Sequence, residues 1–196
     1  MAWMERQQRS VEWTLRVGLR TATPRASRDT RPRRTVAPGD HRIIIPTDLM
    51  FAAWRQLFPA ERMLVFGARR TRRGVRVTSL SDVTEPRPSV AHVRACPQRM
   101  ATSLIDFERT GAHLGAWVHS HPGEESRATF PSEIDLNQDK DLRQHYSDRL
   151  IGIIVVRDGW LRVWGEAIRR DIVRVHWSGR GIESHPGEAH VYRLAL

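Results

Sequence analysis

The sequence has one cysteine, Cys96, and one lysine, Lys140. A single cysteine excludes an intrachain disulfide framework and a cysteine-built zinc knuckle. No apolar run reaches the roughly 18 residues that a bilayer span needs. The longest, "LIGIIVV" and "RIIIP", read as buried strands. The N-terminus lacks the apolar centre of a secretory signal. These absences predict a cytoplasmic protein with no membrane partner. The scarcity of lysine leaves the net charge of +10 to arginine. That reads as the coding bias of a GC-rich bacterial genome before it reads as adaptation.

What is present suits one domain with an appendage: 196 residues, 40% hydrophobic, seven tryptophans. Residues 1–40 hold nine arginines against Glu5, Glu12, Asp29 and Asp40, a balance of +5 and so half the total. Residues 21–40 are rich in Pro, Arg, Ser and Thr and read as a linker. Before them, "SVEWTLRVGLR" has the pattern of a short strand or helix. The expectation is a basic, flexible extension over 1–40 and a globular domain over 41–196. Basic arms bind nucleic acid or acidic partners; a solvated extension is the simpler reading here.

The domain reads as mixed α/β. "RIIIP" is a strand, and "TDLMFAAWRQLF" a helix capped by Thr47 and ended by Pro59. "RMLVFGARR", "GVRVTSLSDV" and "VAHVRA" read as strands. "PQRMATSLIDFERTG" reads as a helix closing on Gly111. "HLGAWVHSH" returns to strand, and Ser132 caps a helix over "SEIDLNQDKDLRQHY". "RLIGIIVV" and "WLRVWG" form a hairpin through Asp158-Gly159, and "DIVRVHW" and "HVYRLAL" add late strands. The sum is a central mixed sheet flanked by two or three helices.

Chemistry concentrates in "WVHSHPGEESRATFPSEID", Trp117 to Asp135. On a strand, His119 and His121 point to one face. Two imidazoles there supply two corners of a tetrahedral zinc, Asp135 offers a third, and the fourth is left to water. Pro122 turns the chain over the site. Such a water needs a base. Glu61, just before "RMLVFG", is the candidate, with Glu85 and Glu108 as rivals. The Ser132 hydroxyl is placed to stabilise an oxyanion.

These residues carry a resemblance. Glu61, His119-x-His121-Pro122 and Ser132-x-x-Asp135 resemble the JAMM/MPN+ metalloprotease motif over about residues 41–165. The resemblance implies a cytidine-deaminase-like fold and one Zn2+ per chain held by His119, His121 and Asp135. It also implies Glu61 as general base, and Ser132 as the group that stabilises the intermediate. The fourteen-residue step from His121 to Asp135 is three longer than the family's usual spacing, with the excess in "GEESRATF". A loop absorbs such an excess without moving either ligand.

The implied activity is cleavage of an amide or isopeptide bond at the C-terminus of a ubiquitin-like protein. Its setting could be a bacterial conjugation or antiviral defence system with E1- and E2-like partners. A site on a sheet edge would take an extended tail by strand addition. The alternatives are a non-catalytic scaffold, a DNA-associated module using the Arg-rich tail, or release of small peptides from a carrier. The second "SHPGE", Ser184 to Glu188, has Glu183 where a first histidine should stand and no Ser-x-x-Asp after it. His185 and His190 therefore read as loop residues, Trp117 as core or cleft wall, and Trp160 and Trp164 as hairpin packing.

Overall fold

Nine strands form one mixed sheet in the computed structural model, which describes residues 41–86 and 93–196. The strands are β1 (His41–Pro46), β2 (Met63–Thr71), β3 (Gly74–Asp82), β4 (His113–Ser120), β5 (Ile151–Val155), β6 (Trp160–Trp164), β7 (Val173–Ser178), β8 (Ile182–Ser184) and β9 (Val191–Leu194). The helices are α1 (Thr47–Leu57), α2 (Pro97–Arg109), α3 (Glu133–His145) and the single turn α4 (Glu166–Arg169). The sheet order is β7-β1-β3-β2-β4-β5-β6-β9-β8, so β4 lies at the centre and β7 and β8 at the edges. β1 runs parallel to both β3 and β7, and β4 runs parallel to β5; the remaining pairs are antiparallel. No described helix is long and apolar enough to cross a membrane.

The period of two along each strand divides the core between the faces. Leu64, Phe66, Val118, Ile153 and Val155 face one side and bury Met50, Ala53 and Leu57 of α1. Met63, Val65, Trp117, Ile154 and Trp164 face the other, with Met100 and Phe107 of α2 and Leu142 of α3. The chemistry-bearing histidines belong to this second face. Two glycines let it close. A Cβ on Gly67 would stand 2.7 Å from the Phe107 ring, and one on Gly152 would stand 2.7 Å from the Trp164 indole. Only hydrogen fits at these contacts, so the bulky side chains rest directly on the strand backbone.

Several sequence expectations change. Thr47 is not the cap of α1. Pro46 occupies that position without a side-chain hydrogen bond, and Thr47 is buried inside the first turn. "VAHVRA" falls partly outside the described residues, and its described end contributes one bridge, Ala95 to Thr84, rather than a strand. Strand β8 was not anticipated, because three residues are too few to show a period. The extension and its "SVEWTLRVGLR" lie outside the described residues. Gly111 does close α2: it takes a positive φ of 70°, and Ala112 N–H returns to the Phe107 carbonyl at 2.8 Å.

Candidate metal centre

The site stands at the C-terminal end of β4. His119 pairs with Met63 of β2 on one side and Ile154 of β5 on the other. His121 lies one residue past the strand, yet its N–H still donates to the Val155 carbonyl at 2.9 Å. That bond carries the strand's alternation through to His121, so both rings emerge on the face of α2 and α3. Their centroids are 4.8 Å apart.

Asp135 arrives from the opposite direction, in the first turn of α3. Ser132 is the N-cap. Its N–H and its hydroxyl both donate to Asp135 Oδ2 at 2.7 Å, and Asp135 N–H donates back to Ser132 Oγ at 3.3 Å. This reciprocal box fixes the helix start and aims the carboxylate. One carboxylate oxygen then lies 3.0 Å from His119 Nε2 and the other 3.1 Å from His121 Nε2. Among the described residues these three side chains are the group able to hold a metal ion, with all ligand atoms within 4.8 Å of one another.

His119 tests that fit. Its ring is 4% exposed, and neither nitrogen has a hydrogen-bond partner. The Asp135 oxygen is near Nε2 but outside hydrogen-bond alignment. A buried polar atom without a partner costs free energy. Lone pairs that approach without aligning suit a shared cation. Metal–ligand bonds of about 2.0–2.1 Å set tetrahedral donor atoms about 3.3 Å apart, close to the 3.0 and 3.1 Å between the carboxylate and the two rings. The residues fit a metal.

The electrostatics agree. Burial opposes ionisation of Asp135, but the flanking His119 and His121 rings and the Ser132 hydroxyl outweigh it and hold the carboxyl far below the usual range. Burial pushes His119 below the ordinary imidazole value. Burial also opposes charge on His121, but the bond to Asp135, its charge, the Ala128 carbonyl and Glu61 together raise that ring's pKa. Ala128 O lies 3.1 Å from His121 Nδ1. A carbonyl can only accept, so Nδ1 carries a proton; Nε2 lies in hydrogen-bond contact with Asp135 Oδ2 at 3.1 Å, and it is this nitrogen whose lone pair the neutral ring would offer to a metal.

Glu61 falls where the sequence placed it, beside the site. The β2–β4 register pairs Met63 with His119, and extending it two residues sets Glu61 opposite His121. Ser120 holds that extension: its N–H donates to Arg62 O at 3.2 Å, and its hydroxyl accepts from Arg62 N–H at 3.0 Å. Burial raises the Glu61 pKa, tempered by the charge on His121. Neither rival carboxylate bears on the histidines. Glu108 lines a cleft of about 730 Å³ with His113, at the start of β4 and so at its other end, and Glu85 N–H bonds the Arg94 carbonyl.

Two placements differ from expectation. The site is not on a sheet edge, because β4 is paired with β2 on one side and, over Ala116–Ser120, with β5 on the other, so β4 is not open to strand addition at the histidines. Ser132 is engaged with Asp135 rather than turned to an open position. Sequence reasoning missed Ser120 and the Ala128 carbonyl. Ser120 has the pattern of any strand serine, and a backbone carbonyl leaves no signature in residue identity. Trp117 is core, 1% exposed.

The chain matches no protein-family model and no curated protein. A similar solved structure is the solution structure of protein DSY2949 from Desulfitobacterium hafniense. It is 20% identical over 69% of this chain and 94% of that one, with a TM-score of 0.45. That likeness is too weak to assign a fold family.

Proposed function

We propose that this chain is a zinc metallopeptidase of the JAMM/MPN+ kind, with that family's cytidine-deaminase-like fold. Its reaction is hydrolysis of an amide or isopeptide bond at the C-terminus of a ubiquitin-like protein. The observation that carries the reading is the convergence of His119, His121 and Asp135 on one point, with Glu61 opposite His121. Two imidazoles and one carboxylate suit zinc and leave a position open. Bound zinc would acidify a water and polarise the substrate carbonyl.

The chain's own groups supply the rest. Glu61 takes the proton of the attacking water and returns it to the leaving amine; its raised pKa favours holding that proton between the two steps. The Ser132 hydroxyl, which here donates to Asp135 Oδ2 at 2.7 Å, would be free to donate to a developing oxyanion if Asp135 gave that oxygen to a bound metal. Phe130, 58% exposed, and Ile134, 44% exposed, flank Ser132 in sequence and give the rim an apolar surface for an extended tail.

The test is cleavage of a ubiquitin-like fusion by the full chain. One zinc per chain, with cleavage abolished by Glu61→Ala and by His119→Ala, supports the enzyme. Steeply salt-dependent DNA binding without cleavage replaces it with the scaffold reading.

A further inference from the structure

The second "SHPGE" has no ligand set, yet it is tied to the first. Glu188 in the β8–β9 turn places Oε2 2.7 Å from Arg162 Nη2, and its Oε1 accepts from the Ser126 hydroxyl at 3.2 Å. Arg162 lies on β6 with its side chain 12% exposed. Its Nε donates to Thr129 Oγ1 at 3.2 Å, and its guanidinium lies 4.0 Å over the Phe130 ring. The registers His119–Ile154 and Ile154–Arg162 put this arginine in the same cross-strand row as the ligand, two strands away and on the same face. These contacts converge on one short 3-10 turn, Ser126–Thr129, inside the loop that joins the ligands. The loop's earlier end is fixed by Glu125 N–H to Asp158 Oδ2 at 3.0 Å.

That same turn presents the Ala128 carbonyl to His121 Nδ1. We infer that the Arg162–Glu188 pair positions His121: it holds the turn so that the Ala128 carbonyl accepts the Nδ1 proton and Nε2 is left facing Asp135. The inference rests on the metal reading of the site. The physical need follows from loop length. Ordering a loop costs conformational entropy that grows with each residue fixed, so a lengthened loop presents its carbonyl in one place only if other contacts fasten it. A largely buried arginine with two side-chain acceptors and an aromatic face beneath it does so, and neither acceptor belongs to the strand that carries the ligands. Groups that orient a metal ligand's second nitrogen typically change metal affinity about 10–100-fold.

The experiment uses the full chain as Glu188→Ala, Arg162→Met and Ser126→Ala. NMR of the metal-free protein follows exchange of the His121 Nδ1 proton, and titration with Co2+ follows affinity. In the unaltered chain the Nδ1 proton is protected. Glu188→Ala and Arg162→Met abolish that protection and weaken Co2+ about tenfold, and Ser126→Ala, which removes one tie, gives a smaller effect in the same direction. Should Arg162→Met not fold, the other two, both at partly exposed positions, carry the test. Unchanged Nδ1 protection in folded Glu188→Ala overturns the inference. An unaltered chain that binds no Co2+ refutes the metal reading instead, and the proton comparison still decides the role of Glu188.

Discussion

The indole of Trp117 lies flat against the imidazole of His119, with centroids 5.0 Å apart and planes 8° from parallel. Trp164 meets Trp117 edge-on at 5.4 Å. The candidate ligand's ring is thus set by a buried aromatic wall, and fold stability and site geometry share that contact. Trp117→Ala is expected to cost about 3–5 kcal/mol, measured by urea unfolding, and to weaken metal binding. Trp117→Phe, which keeps a ring beside His119, should lose less on both counts. Full metal affinity in a folded Trp117→Ala would remove the wall from any positioning role.

Glu61 and its rivals separate cleanly. Glu61→Gln should retain metal and lose about 10²–10⁴ in the hydrolytic rate. Glu85→Gln and Glu108→Gln should be unchanged, since neither stands by His121. Metal content by elemental analysis and turnover of a fusion substrate check this together. Elemental analysis also distinguishes zinc from iron, which two histidines and a carboxylate can hold as well.

The two histidines give opposite pH signs. His121 has a raised pKa in the metal-free fold. Its stabilising contribution is complete below the ordinary imidazole value of about 6.5 and is lost as pH rises through the raised value. His119 has a lowered pKa, so its contribution is present above about 6.5 and lost as pH falls through its lowered value. A metal needs the unprotonated rings, so its affinity climbs where His121 titrates. As pH rises from about 6.5 through the raised His121 value the metal-free thermal midpoint should therefore fall while metal affinity rises. Calorimetry and metal titration across that window check both, and a midpoint that climbs with pH there contradicts the assignment.

Ser132→Ala removes the cap of α3 and one donor to Asp135. Loss of such a cap costs about 1 kcal/mol, read from thermal or urea unfolding. If the hydroxyl also serves the oxyanion, the metal-loaded variant loses about 10²–10³ in rate. A variant destabilised by that amount but fully active assigns Ser132 to the cap alone.

Much of the site was legible because its parts are local. His119-x-His121 needs only strand alternation, and Ser132-x-x-Asp135 needs only the geometry of a helix start. Both patterns lie within a few residues and survive any tertiary context that keeps the element. The sheet's order was not legible. That β4 is central follows from pairings between residues dozens of positions apart, such as Met63 with His119 and His119 with Ile154. The same gap hid Ser120, whose value depends on lying beside Arg62.

The second "SHPGE" marks the boundary. By itself the sequence reads Ser184 to Glu188 as loop because it lacks ligand spacing, a feature that can be judged locally. Only the tertiary structure decided what the segment does. Glu188 reaches Ser126 and Arg162 across 62 and 26 residues of chain, and such contacts exist only once the sheet has brought β6, β9 and the ligand loop together. Strand period and helix caps are fixed by neighbouring residues; which loop stands over which strand is fixed by the packing of the whole sheet.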